Sequence, residues 1–345
     1  MKRPFLLLGW LLWIALEGSA SAEPLKKLFL GTSSVADKIL SNVIAQRLGF
    51  YREEGYELEI VLTRGSVAIQ GVLGGSLDYI NHTSVTPAVL RGAPMKIILI
   101  DSDRPTHYFV TSNKISNFND LIGKSIAIDD FAGNAGLLAR ELVVRKGLPL
   151  NQINLRVIGP PPFRFQALMG GVVDATLLNY NLAKQAQTQG FRTLLYMGDL
   201  LSEVGPSLAT TQAKLKNSPQ EVYRIIRASL KGYLFMYRNP DEAVKFFMEG
   251  QGITDVAAGK DGWQARLRRT SESSRTGMAS EEALNDTLQV VKRQLEMSGA
   301  GLGAKELRSD SVFDFTLVKR AIDELKAENW DPKKYRYVSK ANPRQ

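Results

Sequence analysis

The segment Gln70-Gly71-Val72-Leu73-Gly74-Gly75-Ser76-Leu77-Asp78 returns 96 positions later as Gln166-Ala167-Leu168-Met169-Gly170-Gly171-Val172-Val173-Asp174. Each copy reads as a helix end, a double-glycine turn and the entry to a strand. A helix stops most readily in a left-handed turn at a residue with no Cβ to clash. Two unrelated helix-to-strand turns would share some of these residues, so the surrounding order of elements carries the comparison. Before and around the first copy, strands are expected at Lys27 to Gly31, Glu57 to Leu62, Leu77 to Ile80 and Met95 to Ile100, with helices at Val35 to Leu48, Val67 to Leu73 and Thr86 to Arg91. Around the second, strands are expected at Ser125 to Ile128, Asn154 to Ile158, Val172 to Leu178 and Thr193 to Tyr196, with helices at Ala135 to Lys146, Phe165 to Met169 and Leu182 to Gln189. Strand and helix alternating at this spacing means α/β architecture, here as two successive βαβαβ halves.

Beyond Ser202 the pattern becomes mostly helical. Ser218-Pro219-Gln220-Glu221 reads as a capping box with proline at the first helical position. The helix that follows carries an apolar face of Val222, Ile225, Ile226, Leu230, Tyr233, Leu234 and Tyr237. Further helices are expected at Asp241 to Glu249, Glu281 to Met297 and Phe315 to Glu328, packed back on the first half, with a poorly ordered tail at 331–345. A chain of 345 residues is long enough for two lobes, each with its own core.

The amino terminus has the order of a secretory signal peptide: Lys2 and Arg3, an apolar run from Phe5 to Leu16, then Gly18-Ser19-Ala20-Ser21-Ala22. The run is about 12 residues, against roughly 20 for a membrane-crossing helix, so a cleavable signal at 1–22 is expected over a retained anchor. The chain has no cysteine, which excludes disulfides, thiolate chemistry and a lipid-modified cysteine anchor. A periplasmic protein that is not a lipoprotein is the reading that follows. The net charge of +9 is spread among acidic residues, with no run of five like charges, so a solvated basic surface is favoured over nucleic-acid binding.

Several segments together resemble the periplasmic solute-binding proteins of ABC importers in the nitrate, sulfonate and taurine group, which share a fold with thiamine-pyrimidine synthases. They are Leu48 to Glu59, Gly74 to Tyr79, Arg91 to Lys96, Asp120 to Ala127, Ala167 to Ala175, Pro219 to Ala228 and Asn239 to Ala243. The resemblance implies a type II periplasmic-binding fold: two α/β lobes joined by two crossing strands near Tyr108 to Ser112 and Pro206 to Gln212. Lobe 1 would comprise 23–107 and 207–330 with the C-terminal helices, and lobe 2 residues 108–206. It also implies a monomer that meets ABC permease subunits in the inner membrane.

In an open α/β sheet, ligands bind outside the carboxyl ends of the strands, where helix N-termini present backbone N–H groups. Four polar loops fall at such edges: Thr32-Ser33-Ser34, Asn81-His82-Thr83-Ser84, Phe131 to Asn134 with Gly133, and Asn179 with Tyr180. Ser, Thr and Asn also serve as ordinary helix caps, so each loop has a second reading. Phe131 and Tyr180 suit stacking on a planar ligand or packing at a lobe edge. Arg104 and Arg164 suit pairing with an anion or plain solvation. His82 and His107, the two histidines, match no metal-ligand spacing. There is no G-x-S-x-G elbow, H-E-x-x-H, P-loop or G-x-G-x-x-G. The expectation is a non-enzymatic solute-binding protein without cofactor or metal, closing by a hinge on a small polar or anionic organic molecule such as a sulfonate, carboxylate or pyrimidine. The alternatives are a pyrimidine-synthase-like or menaquinone-pathway-like enzyme using His82, and a ligand-binding sensor subunit for a membrane receptor. Ligand identity is not readable from the chain.

Overall fold

The computed structural model describes residues 24–32, 39–131, 134–272, 275–297, 299 and 308–341. The signal-peptide segment and its cleavage after Ala22 lie outside the described residues. No helix among the described residues is long and apolar enough to cross a membrane.

The first half runs β1 (Lys26–Thr32), α1 (Leu40–Arg47), α2 (Phe50–Glu53), β2 (Tyr56–Leu62), α3 (Gly65–Leu73), β3 (Tyr79–Asn81), α4 (Val85–Leu90) and β4 (Met95–Ile100). The second runs β5 (Tyr108–Thr111), β6 (Ser125–Ile128), α5 (Asn134–Arg145), β7 (Asn154–Val157), α6 (Pro161–Met169), β8 (Ala175–Leu178), α7 (Tyr180–Thr188) and β9 (Arg192–Tyr196). After β10 (Ser207–Thr211) the chain is helical: α8 (Gln212–Asn217), α9 (Pro219–Arg238), α10 (Pro240–Gln251), α11 (Val256–Leu267), α12 (Glu281–Met297), α13 (Ser309–Val312) and α14 (Thr316–Ala327).

Two five-stranded sheets result, ordered β2-β1-β3-β10-β4 and β7-β6-β8-β5-β9. In each, a parallel trio is followed by one antiparallel strand, β10 or β5, that arrives from the other half of the chain. The chain passes between sheets at 101–107 and 197–206.

The duplication extends to individual bonds. Leu30 pairs with Tyr79 across β1 and β3, and Ile126 with Ala175 across β6 and β8, both partners shifted by the same 96 positions. Asp78 accepts a hydrogen bond from the Phe29 N–H (2.8 Å) while its own N–H donates to the Phe29 carbonyl (2.9 Å). Asp174 does the same with Ser125 at 2.9 and 3.0 Å. These aspartates account for strands shorter than expected at β3 and β8: the side chain ties down the neighbouring strand before regular pairing begins. Gly75 and Gly171, at φ 79° and 67°, supply the left-handed turn in each copy.

Each sheet is covered on both faces. On the first, one core gathers α1, α2, α9, α10 and α14 around Tyr51, Ile226 and Tyr233, and another gathers α3, α4 and α12 around Ile80 and Ile97. On the second, α5 packs against Phe109 and Ile126, while α6 and α7 cover Tyr108, Val110 and Leu178. Gly232 lets α9 approach α1 closely, since a Cβ there would lie 2.2 Å from the Ser41 carbonyl oxygen. α12 serves both halves: Leu284, Leu288, Val291 and Leu295 join the first-half core, whereas Val290 joins the α5 side of the second.

Two expectations are corrected. Ser218 makes no side-chain cap of α9, and Glu221, the other half of the expected box, pairs with Lys26 (2.5 Å) and Lys214 (2.7 Å) instead. The tail is packed as far as Val338: Trp330 and Tyr335 meet the Phe50 ring edge-on at 5.9 and 4.8 Å, and Tyr337 meets Phe246 at 4.8 Å. The crossings fall where they were expected: the chain changes sheet immediately before β5 and β10, each of which joins the sheet it enters.

Candidate functional site

β5 runs antiparallel to β8, so Tyr108 at its start sits beside Leu178 at the carboxyl end of β8; likewise Ser207, opening β10, sits beside Ile100, closing β4. Both connecting segments therefore join the carboxyl edges of the two parallel trios and turn those edges toward each other. These edges carry the four polar loops expected to form a ligand cleft.

On the first-half side, Thr32 and Asn81 are fully buried. Asn81 donates Nδ2 hydrogens to Asp101 (2.7 Å) and to Asn42 Oδ1 (3.2 Å), while Ser41 donates to the other Asp101 oxygen (2.5 Å). Burial pushes the Asp101 carboxyl up, and the hydrogen bonds from Ser41 and Asn81 pull it part of the way back. Asn81 Oδ1 is sealed in this cluster with no hydrogen-bond partner among the described residues. Asn81 thus faces its own lobe. His82 is half-buried, and its Nδ1 accepts the Ser84 N–H (3.1 Å) and lies 2.9 Å from Ser84 Oγ. An accepting Nδ1 places the proton of the neutral ring on Nε2. Gly65 is pressed against this pair: a Cβ there would come within 2.6 Å of both. Thr83 is exposed, and Ser33 and Ser34 lie outside the described residues.

On the second-half side, Asp129 at the end of β6 accepts N–H groups from Gly136 (3.1 Å) and Ala135 (3.4 Å), so α5 is capped by the protein's own carboxylate. Asn179 caps α7 through the Leu182 N–H (3.0 Å). Asn134 is exposed, Gly133 lies outside the described residues, and Phe131 is 47% exposed with the Arg140 guanidinium 5.6 Å from its ring centre. Arg164 is buried and spends its fork on the carbonyls of Gly159 (2.5 Å) and Leu177 (3.1 Å). Arg104 lies 4.0 Å from Asp199. His107 sits in the connecting segment with Nδ1 sealed from solvent and no partner; burial and then the Arg164 charge lower its pKa to about 4. No group of three or more His, Asp or Glu side chains suited to a metal occurs among the described residues.

Tyr180 leaves this cleft for α11. Its O–H donates to Asp261, which also pairs with Lys184 at 2.9 Å. Beside it a cavity of about 430 Å³ opens between α7, β9 and α11, lined by Tyr108, Tyr180, Tyr196, Asp261, Gln264 and Arg268 among others. Tyr180 is the one expected site residue that lines it. A larger cavity of about 720 Å³ lies between α1, β2 and α10, lined by none of the expected site residues. Tyr108, Tyr196 and all of α11 were not expected at a site from sequence, nor was the capping role of Asp129. Asp129 was open to reading as an aspartate between a strand and a helix, and Asp255 as the α11 cap it is, accepting the Ala258 N–H at 2.7 Å. Tyr108 and Tyr196 read as strand residues.

Residues 38–243 match the family model described as NMT1/THI5 like. A riboflavin-binding protein, RibY, of Chloroflexus aurantiacus is 26% identical over 223 residues, 60% of this chain and 62% of that protein, so the match spans less than two thirds of the relative. In solved structures, the chain is similar to a putative periplasmic sulfonate-binding protein, SsuA, of Methylobacillus flagellatus (TM-score 0.71, 16% identity, 89% of this chain and 97% of that one). It is also similar to the desulfurization enzyme DSZB (TM-score 0.58, 14% identity, 87% and 99%). At these identities the structural likenesses establish the fold, that of the periplasmic binding proteins. With the family match covering more than half of its length, the chain belongs to the NMT1/THI5-like family.

Proposed function

We propose that the protein is the periplasmic solute-binding component of an ABC importer, capturing a small polar organic molecule between two lobes, 23–107 with 207–330 and 108–206, and presenting the closed form to membrane permease subunits. The observation that carries this reading is the pairing of two separately cored halves, equivalent at an offset of 96 residues, whose strand ends are linked edge to edge by two short segments. Such a hinge lets a ligand with higher affinity for the closed arrangement shift the population toward it. The named similar proteins include binders of sulfonate and riboflavin, which supports binding as the role and leaves both solute classes to be tested. Because Asp129 and Asn179 already occupy the N–H groups of α5 and α7, recognition in the cleft rests on side chains more than on open helix tips. An enzyme using His82 is the second reading, supported by the likeness to DSZB; the engagement of His82 Nδ1 by its own loop counts against a role as base through that atom.

Titration with alkanesulfonates, organic carboxylates, pyrimidines and riboflavin, followed by Trp263, Trp330 and tyrosine fluorescence together with small-angle scattering, tests the proposal. Compaction with one solute and no turnover is the expected result. Absence of any spectral or scattering response across all four classes would remove the binding role, and turnover abolished by His82→Ala would establish the enzyme instead.

A further inference from the structure

The two flanks of the waist are fastened by different chemistry. On the α12 flank the Val290 side chain is 3% exposed and belongs to the second-half core, so part of that contact is apolar. The carboxylates that pair there are also shielded, Glu141 at 12% exposure and Asp286 at 29%. On the α11 flank, α7 and β9 of the second half face α11 across a cavity of about 430 Å³, and no α11 side chain joins a second-half core among the described residues. Trp263 packs on Phe247 at 5.8 Å, so α11 travels with the first half.

The bonds across this gap are polar. Asp261 pairs with Lys184 of α7 at 2.9 Å and accepts the Tyr180 O–H. Arg268, just after α11, pairs with Asp199 at 2.7 Å, and its carbonyl accepts the Tyr196 O–H at 3.3 Å. The four ionic side chains are between 43% and 51% exposed, so dissolved ions reach both pairs. The range of an exposed charge falls from about 30 Å at 0.01 M salt to about 3 Å at 1 M. One such pair biases an equilibrium by up to about fivefold, and two acting on the same motion multiply. The two hydroxyls are uncharged, so the adjustable part of the fastening is the two pairs.

We propose, resting on the reading of the halves as mobile lobes, that α11 is a salt-sensitive latch: it holds the second half through Lys184–Asp261 and Arg268–Asp199 at low ionic strength and lets it swing away as salt rises. Ionic strength then sets the resting balance of the lobes, and a solute that prefers the closed arrangement binds more weakly at high salt.

The chain has no cysteine, so spin labels at Gln185→Cys on α7 and Ala257→Cys on α11, both exposed, report the width of the gap by electron–electron distance measurement. Raising NaCl from about 0.02 M to about 0.5 M is expected to raise the ratio of long to short distances about threefold or more in the otherwise wild-type protein. Lys184→Glu sets two carboxylates together. It is expected to raise that ratio about threefold or more at low salt, and then to lower it as salt rises, because screening now relieves a repulsion. The exchange of Lys184→Glu with Asp261→Lys is expected to return the wild-type direction of response. A ratio that ignores salt overturns the latch, as does a Lys184→Glu protein that opens with salt as the wild type does. Where salt has no effect and a solute still shortens the distance, the latch falls and the solute-binding role stands. Where the distances are fixed against salt and every solute class, both fall.

Discussion

Tyr180, on the first turn of α7, donates its phenolic O–H to Asp261 on α11, so a side chain of one half is fastened to a carboxylate of the other across the gap between them. Asp261 and Lys184, its second partner, are both about half exposed (51% each), which limits what the ion pair contributes to stability. Asp261→Asn is therefore expected to lower unfolding free energy by under about 1 kcal/mol. In small-angle scattering the same variant should show a more extended unliganded particle. An unchanged profile would mean that the lobes are held elsewhere.

Two half-buried groups in the connecting segments give stability an unusual pH course. Burial lifts Glu203 to about 7 from 4.5, so the folded state holds its proton more tightly than the unfolded one, and this stabilisation is lost as pH rises from 4.5 through 7. Burial and Arg164 lower His107 to about 4 from 6.5, so its contribution is present above 6.5 and lost as pH falls toward 4. Each is worth up to about 3 kcal/mol, with opposite slopes between 4.5 and 6.5. Urea midpoints of the wild type should be nearly flat over that window. Glu203→Gln should gain stability with rising pH there, and His107→Asn should lose it. Parallel curves for all three proteins would rule this out.

The contact of α9 with α1 admits no side chain at Gly232. Alanine would place its Cβ 2.2 Å from the Ser41 carbonyl oxygen and 2.9 Å from the Ala45 Cβ, and backbone cannot yield as a flexible side chain does. Gly232→Ala is expected to destabilise by about 1–3 kcal/mol despite the higher helix propensity of alanine. Equilibrium unfolding with an unshifted midpoint would contradict so close an approach.

The paired aspartates predict matching phenotypes. Asp174 accepts from both the N–H (2.9 Å) and Oγ (2.8 Å) of Ser125, and Asp78 accepts from Phe29 and from Lys214 Nζ (2.6 Å). Alanine at either site leaves an N–H of the neighbouring strand, Phe29 in β1 or Ser125 in β6, without its acceptor, at a cost of about 1–3 kcal/mol. Hydrogen exchange should accelerate at Phe29 in one variant and at Ser125 in the other, with little crossover between halves.

The architecture was legible because it is written twice. The Gly74-Gly75 and Gly170-Gly171 turns, each followed by an aspartate, fixed where helices end and strands resume, and α/β alternation left few other arrangements. α11 escaped because Gly259 and Gly262 interrupt its helical pattern and its apolar residues do not line one face; tertiary packing on Phe247 overrides propensity there. The tail looked disordered by composition, yet Trp330, Tyr335 and Tyr337 find aromatic partners on Phe50 and Phe246 that lie far off in sequence. The site was legible as loop positions and not as roles. Asn81, Asn179 and Arg164 are the residue types that hold ligands, and the same donors and acceptors serve equally well to satisfy Asp101, the Leu182 N–H and the carbonyls of Gly159 and Leu177. Which partner each meets depends on distances that appear only once the chain is folded.

α12 sets a limit on how the molecule opens. Four of its apolar side chains are seated in one core and Val290 in the other, on the face of the second sheet opposite α7. Arg293 to Glu141 (2.6 Å) and Arg145 to Asp286 (3.1 Å) add polar stitches on the same flank. Swinging the halves apart there would drag Val290 into water, while the α11 flank is joined by polar contacts, Tyr180 and Lys184 to Asp261 and Arg268 to Asp199. If the halves part as proposed, the α12 flank is the spine about which they turn and the α11 flank is the side that opens.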